Sequence, residues 1–242
     1  MNNKLFIILP KPSRFYFPWE CSQSLLFTQQ YLTKKYGEDF CKIFSVTGAY
    51  IHENRNLIFQ MAKGHDLLMI DIDMIYHPTQ VSYIYETMKN NNLDIVCGLF
   101  FMGYMGRQSD RPYKPMIYKP FGLENQEIEK VTHEDLYIDY PYHSLFEIGA
   151  CGMAFTIFSQ KVVDAMQEEP FSSISDLKYL GGEDFSFCIK ARRKGFKIWC
   201  DSRLNIGHLR NIIVDENLYS NSERLHQNLD TENWLVYNKV HD

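Results

Sequence analysis

The stretch Asp66-Leu-Leu-Met-Ile-Asp-Ile-Asp73 decides how this chain is read. Its four consecutive apolar residues are too few for a helix and suit a short buried strand, one that ends in two carboxylates. At i and i+2 of an extended segment, Asp71 and Asp73 point the same way. Together they can hold a divalent cation through hard oxygens. A strand end that merely turns into solvent through His77-Pro78 would look the same. With 15 aspartates in 242 residues, about one Asp-x-Asp triplet arises by chance. The weight therefore lies in the position, because a buried strand seldom ends in two acids without a cation beside it.

On the amino-terminal side, Leu5–Pro10 reads as a buried strand stopped by prolines, and Ser24–Tyr36 as a helix before Gly37. A strand over Phe40–Val46 and a helix over His52–Lys63, ended by Gly64, lead into the quoted stretch. On the carboxyl side come a helix at Pro78–Asn90 and an apolar strand at Leu93–Met102. This alternation predicts an α/β chain with a mostly parallel central sheet flanked by helices. Ligands of such sheets bind beyond the carboxyl ends of the strands, where the two aspartates fall. The second half is less regular. It has short strands at Met116–Lys119 and Leu136–Asp139, an apolar run at Phe146–Phe158, helices at Gln160–Glu168 and Glu183–Lys194, and a strand at Phe196–Cys200. Residues 1–209 are read as one domain, and 210–242 as a carboxyl-terminal arm too short for a core of its own.

Composition narrows the function. The chain is 45% hydrophobic and 23% charged, which excludes disordered, collagen-like and coiled-coil classes. A net charge of -5 gives no global field for nucleic acid or acidic lipid. The aromatic share of 15% suits both a core and flat ligands. The run Leu5–Pro10 is far short of the roughly 20 residues of a membrane span, and six cysteines without a C-x-x-C pair read as reduced core thiols. The expectation is a cytoplasmic protein with no integral membrane association.

Three further sites could carry chemistry. Gly181-Gly182-Glu183-Asp184 opens a helix. Its acids complement the helix dipole, which by itself lowers a carboxylate's pKa. The paired glycines admit a close approach, so a carboxylate there could take a proton from a substrate hydroxyl. His208 gains meaning only if it meets Asp73, because mixed carboxylate and imidazole sets suit Mn²⁺. Arg55-Asn56, near a helix start, could touch a phosphate. Gly149-Ala-Cys-Gly152 marks either close approach by a ligand or tight packing on a neighbouring strand.

In this order the motifs resemble the GT-A glycosyltransferases, nucleotide-sugar enzymes with a DxD motif. They run from the strand ending in Pro10 through Arg55-Asn56, Asp71-Ile-Asp73, Gly149–Gly152 and Gly182-Glu-Asp to Gly207-His208. The Gly-Gly-Glu-Asp block, its helix and Gly195-Phe-Lys-Ile-Trp199 are similar to those of inverting enzymes, including family 2 and β-1,4-galactosyltransferases. The resemblance implies a Rossmann-like nucleotide-binding half joined to an acceptor-binding half. It implies a metal-dependent, inverting hexosyltransferase that uses a nucleoside-diphosphate sugar, a UDP-sugar foremost. Asp73 and His208 would bind Mn²⁺ or Mg²⁺, with Asp71 reaching the metal through water or contacting the donor. Pro10, Arg55, Gly149 and Gly152 would lie against the donor, Asp184 would be the base, and Glu183 would orient the acceptor or the base. The acceptor is left open among glycan, small molecule, protein and modified nucleic acid.

Two other functions compete. A sugar-phosphate nucleotidyltransferase would need a glycine-rich, basic loop after the first strand, whereas Lys11-Pro-Ser-Arg-Phe-Tyr-Phe-Pro18 has no glycine. A non-catalytic GT-A-like binding domain would have no need of intact acid motifs.

Overall fold

The computed structural model describes residues 4–13, 16–103, 113–174, 182–209, 213–214 and 216. The arm expected at 210–242 lies almost wholly outside them. In the first half, β1 (Leu5–Pro12), α1 (Trp19–Tyr36), β2 (Cys41–Gly48), α2 (Ile51–Met61) and β3 (Asp66–Ile70) alternate, followed by β4 (Met74–Ile75), α3 (Pro78–Asn90), β5 (Ile95–Leu99) and β6 (Phe101–Gly103). The second half is more broken, with β7 (Tyr113–Pro115), β8 (Ile117–Tyr118), α4 (Asn125–Ile128), β9 (Leu145–Ile148), β10 (Ala150–Cys151) and β11 (Phe155–Phe158). After these come α5 (Gln160–Ala165), α6 (Glu183–Arg193), β12 (Ile198–Asn205), β13 (Gly207–Leu209) and β14 (Ile213–Val214).

Seven strands form the central sheet in the order β2-β1-β3-β11-β5-β12-β9. β1, β2 and β3 run parallel, as do β5 and β12. β11 sits antiparallel between β3 and β5, and β9 closes the edge antiparallel to β12. Every residue of β3, β11 and β5 is buried. Such a fully covered strand reads as an unbroken apolar run, because both its faces carry core. The apolar run at Phe146–Phe158 corrects the single-segment reading, since it divides into β9, β10 and β11. β10 pairs with β8 outside the main sheet. Leu136–Asp139 is not a strand either and makes only one bridge, between Leu136 and Tyr118.

Local chemistry sets the helix ends. Pro18 precedes α1, which begins five residues earlier than its apolar spacing suggests, and Gly37 follows it at φ 99°, a backbone state that glycine adopts without strain. α3 starts at a capping box in which His77 accepts from the Thr79 amide and Gln80 reaches back to the His77 amide. Pro78 fills the first helical position, where its missing N–H costs nothing.

The two faces of the sheet carry separate apolar clusters. On one face Phe59 of α2, Phe158 of β11 and Phe187 of α6 meet with ring centroids 5.1–5.3 Å apart, and Phe171 stacks on Phe187 at 4.7 Å. Each such pair contributes about 0.5–1.5 kcal/mol beyond its buried area. Residues four apart share a helix face, so Phe59 fixes where Arg55 points, and the Phe187 anchor does the same for the start of α6. All six cysteines are buried free thiols. Among the described residues no helix is long and apolar enough to cross a membrane.

Candidate active site

A cleft of about 250 Å³ opens at the carboxyl end of β3, lined by Arg55, Asp71, Asp73, Gly152, Glu183, Asp184 and His208, with Phe100, Met102 and Met116 as an apolar wall. Parts far apart in sequence build it. The Asp71 amide donates to the Ala154 carbonyl (2.9 Å), which holds the turn after β3 against the entry to β11. β13 lies between β14 and β4, antiparallel to both, and the Leu209 amide donates to the Asp73 carbonyl (2.7 Å). That small sheet carries His208 to Asp73.

His208 is 4% exposed. Its Nδ1 lies 2.9 Å from the Phe101 carbonyl oxygen and its Nε2 lies 3.2 Å from Asp73 Oδ2. A carbonyl only accepts, so Nδ1 carries a hydrogen. Nε2 then either is protonated and pairs with Asp73 or presents a lone pair toward another acceptor. The second case calls for a cation between them, and an imidazole oriented through its other nitrogen is the usual metal-ligand arrangement. The donor set of one carboxylate and one imidazole suits Mn²⁺ or Mg²⁺ completed by oxygens from substrate and water. Among the described residues no three acid, imidazole or thiol groups gather to hold a metal by themselves. Residues 72–73 form a turn, closed by the Met74 amide on the Asp71 carbonyl (3.2 Å), instead of the extended segment expected, and the Asp71 side chain pairs with Arg55.

Arg55 is the hub of the acids. Its guanidinium, with the side chain 3% exposed, donates through Nη2 to both Asp71 oxygens (3.1 Å each) and through Nη1 to Glu183 Oε1 (2.8 Å) and Asp184 Oδ1. Its Nε is buried without a partner. Burial alone would loosen the proton on Arg55, but Asp184, Asp71 and Glu183 outweigh it and raise the pKa above its ordinary value.

Asp184, in the first turn of α6, also accepts from the Met153 amide (3.1 Å). The helix-start expectation of a lowered pKa is overturned here. Burial pushes the Asp184 carboxyl up from 3.8 to about 7, opposed by Arg55 and reinforced by Glu183 and Asp71. Desolvation is the largest cause and Arg55 opposes it, but the guanidinium is shared among three carboxylates and the two neighbouring acids add to the rise. A base with a pKa near 7 is well matched to proton transfer at neutral pH.

The remaining candidates divide. Gly152 lines the cleft, and a Cβ there would lie 2.7 Å from Phe100 Cζ. Gly149 does not line it; a methyl group there would run into the Lys119 carbonyl and the Phe121 ring, so packing accounts for that glycine. Pro10 is buried in β1 opposite Val46 and is not part of the cleft wall. Asn56 Oδ1 accepts from the Phe171 amide (2.8 Å), a structural role. Beyond Gly182 lies open space, while Gly181 is outside the described residues. Sequence reasoning missed Phe100, Met102 and Met116, because apolar residues in apolar strands carry no signal that distinguishes a cleft wall from a core.

Residues 27–163, more than half of the chain, match the model of the family described as Glycosyl transferase family 2. No curated protein matches the sequence at a significant level. The crystal structure of A197 from STIV is similar, with a TM-score of 0.53 at 17% identity over 86% of each chain; this likeness concerns the fold alone. S. aureus TarS 1-349 is 16% identical over 82% of this chain and 58% of that one, with a TM-score of 0.43. Its complex with UDP-GlcNAc gives 0.42 over 82% of this chain and 56% of that one. The chain thus spans little more than half of those TarS structures.

Proposed function

Because the chain belongs to glycosyl transferase family 2 and has the α/β architecture of a GT-A glycosyltransferase, we propose that it moves a sugar from a nucleoside-diphosphate sugar to an acceptor hydroxyl, with inversion at the anomeric carbon. The observation that carries this reading is one cleft holding Asp73 against His208 at one end and Glu183-Asp184 on Arg55 at the other. The first end suits the diphosphate and the second suits the acceptor.

On this reading Asp184 takes the proton of the attacking hydroxyl. Its Met153 and Arg55 contacts aim the carboxylate, and its raised pKa makes it a stronger base than a solvated aspartate. Glu183, fixed on the same guanidinium, orients the acceptor. Phe100, Met102 and Met116 exclude water from the reacting centre, which strengthens the charge interactions inside. Gly152 lets the Phe100 ring pack directly against the backbone of the cleft wall, where a Cβ would collide with it. Asp73 and His208 would hold Mn²⁺ or Mg²⁺, which when bound offsets charge on the leaving diphosphate. The surplus of acids in the cleft supports a cation requirement, since a diphosphate would otherwise meet like charge.

The test is nucleoside diphosphate release from a panel of nucleotide sugars, UDP-sugars first, with Mn²⁺ or with EDTA. Release that needs the metal, and that falls at least about a hundredfold in Asp184→Asn, is the expected result. Metal-independent release, or none from any donor, would remove the reading.

A further inference from the structure

We propose that Arg55 is the positioning residue that couples the donor side of the cleft to its base, rather than a direct ligand of the donor phosphates. The inference rests on the reading of Asp184 as the base. Its geometry is specific. One guanidinium joins Asp71 at the end of β3 to Glu183 and Asp184 at the start of α6, 128 and 129 residues further along the chain from Arg55. Both Nη groups are engaged by carboxylates and the side chain is 3% exposed, so little of it is offered to an incoming phosphate. Only the planar fork of arginine can serve three carboxylates in this way; a lysine is a single point charge.

The consequences follow from the contacts. Asp184 has two anchors, Arg55 on Oδ1 and the Met153 amide on Oδ2. Without the guanidinium, one anchor remains and the carboxylate is free to pivot out of line. The local charge changes as well: Asp71, Glu183 and Asp184 would face each other with no counter-charge from α2. Arg55 itself is held from below, since its guanidinium lies 5.9 Å from the Phe171 ring centroid and Phe59, one turn on, is locked among Phe158, Phe171 and Phe187. A residue so buried and so shared acts through its partners.

A double-mutant cycle on the full chain separates this role from phosphate binding. Arg55→Gln should lower kcat for nucleoside diphosphate release about thirtyfold and move the donor KM less than about threefold, the pattern of a lost transition-state interaction. In an Asp184→Asn background the same substitution should cost less than about threefold, because the group it positions is already gone. Arg55→Lys should restore part of the rate in the wild-type background alone. If Arg55→Gln does not fold, the cycle is run with Arg55→Lys, with about a tenfold loss beside Asp184 and less than threefold beside Asn. Penalties that multiply in the double variant, or a rise in donor KM with kcat unchanged, would overturn the proposal. Near-normal turnover by Asp184→Asn alone would remove the base assignment, and this proposal with it, before Arg55 is altered.

Discussion

Asp184→Asn should make the protein more stable at neutral pH while disabling it. The carboxyl has a folded pKa of about 7 against an ordinary 3.8. At about 1.4 kcal/mol per unit, that difference is worth about 4 kcal/mol as an upper value. Because the side chain is 29% exposed and its neighbours can relax, about 2 kcal/mol is the working figure. A folded pKa raised above the unfolded one favours the folded state fully below pH 3.8, and this advantage is lost as pH rises through about 7. Asparagine does not titrate, so it escapes the loss. Urea unfolding in EDTA, with both proteins compared from pH 4.5 to 8, reads the effect directly. The stability of the variant relative to wild type should climb by about 2 kcal/mol across that range, or about 4–8 °C in Tm for a chain of this size. A difference that stays flat with pH, or a variant less stable at pH 8, would refute the reasoning.

Other consequences can be checked separately. Turnover should rise as pH increases through about 7 and level off above it, since Asp184 must be ionised to act; a profile flat from pH 5 to 8 would contradict this. Asp73→Ala and His208→Ala should each abolish the Mn²⁺ dependence of nucleotide-sugar binding in calorimetry, with the fold retained by circular dichroism. Gly149→Ala should cost about 1–3 kcal/mol in urea unfolding, because the new methyl group meets the Lys119 backbone, which has little room to give.

How much of this was legible beforehand depended on whether the signal was local. α3 was readable to its ends at Pro78–Asn90 because His77, Pro78 and Gln80 state its start. The strand Asp66–Ile70 is readable because its apolar run stops at the charge of Asp71. The division of Phe146–Phe158 was not, since Gly149 and Gly152 look alike in the sequence and only packing shows that one sits under Lys119 and the other beside Phe100. From the sequence His208 has meaning only if it meets Asp73, and the β4–β13 pairing that brings them together carries no pattern in two- and three-residue strands. From its place near a helix start, Arg55 reads as a phosphate contact. Two of the three acids around it lie more than 120 positions away, so its place among them cannot be read from its helix. The direction of the Asp184 pKa failed for the same reason, because a helix start is visible in sequence and the burial around it is not.

The central claim is that Asp184 acts as the base of an inverting transfer, and the anomer of the released sugar tests it most directly. Wild-type protein with Mn²⁺ and an α-linked nucleotide sugar can be followed by proton NMR as water slowly replaces the acceptor, before the product mutarotates. The account predicts that the β-anomer appears first, and that its rate falls at least about a hundredfold in Asp184→Asn. First appearance of the α-anomer, or an unchanged rate in the variant, would contradict it.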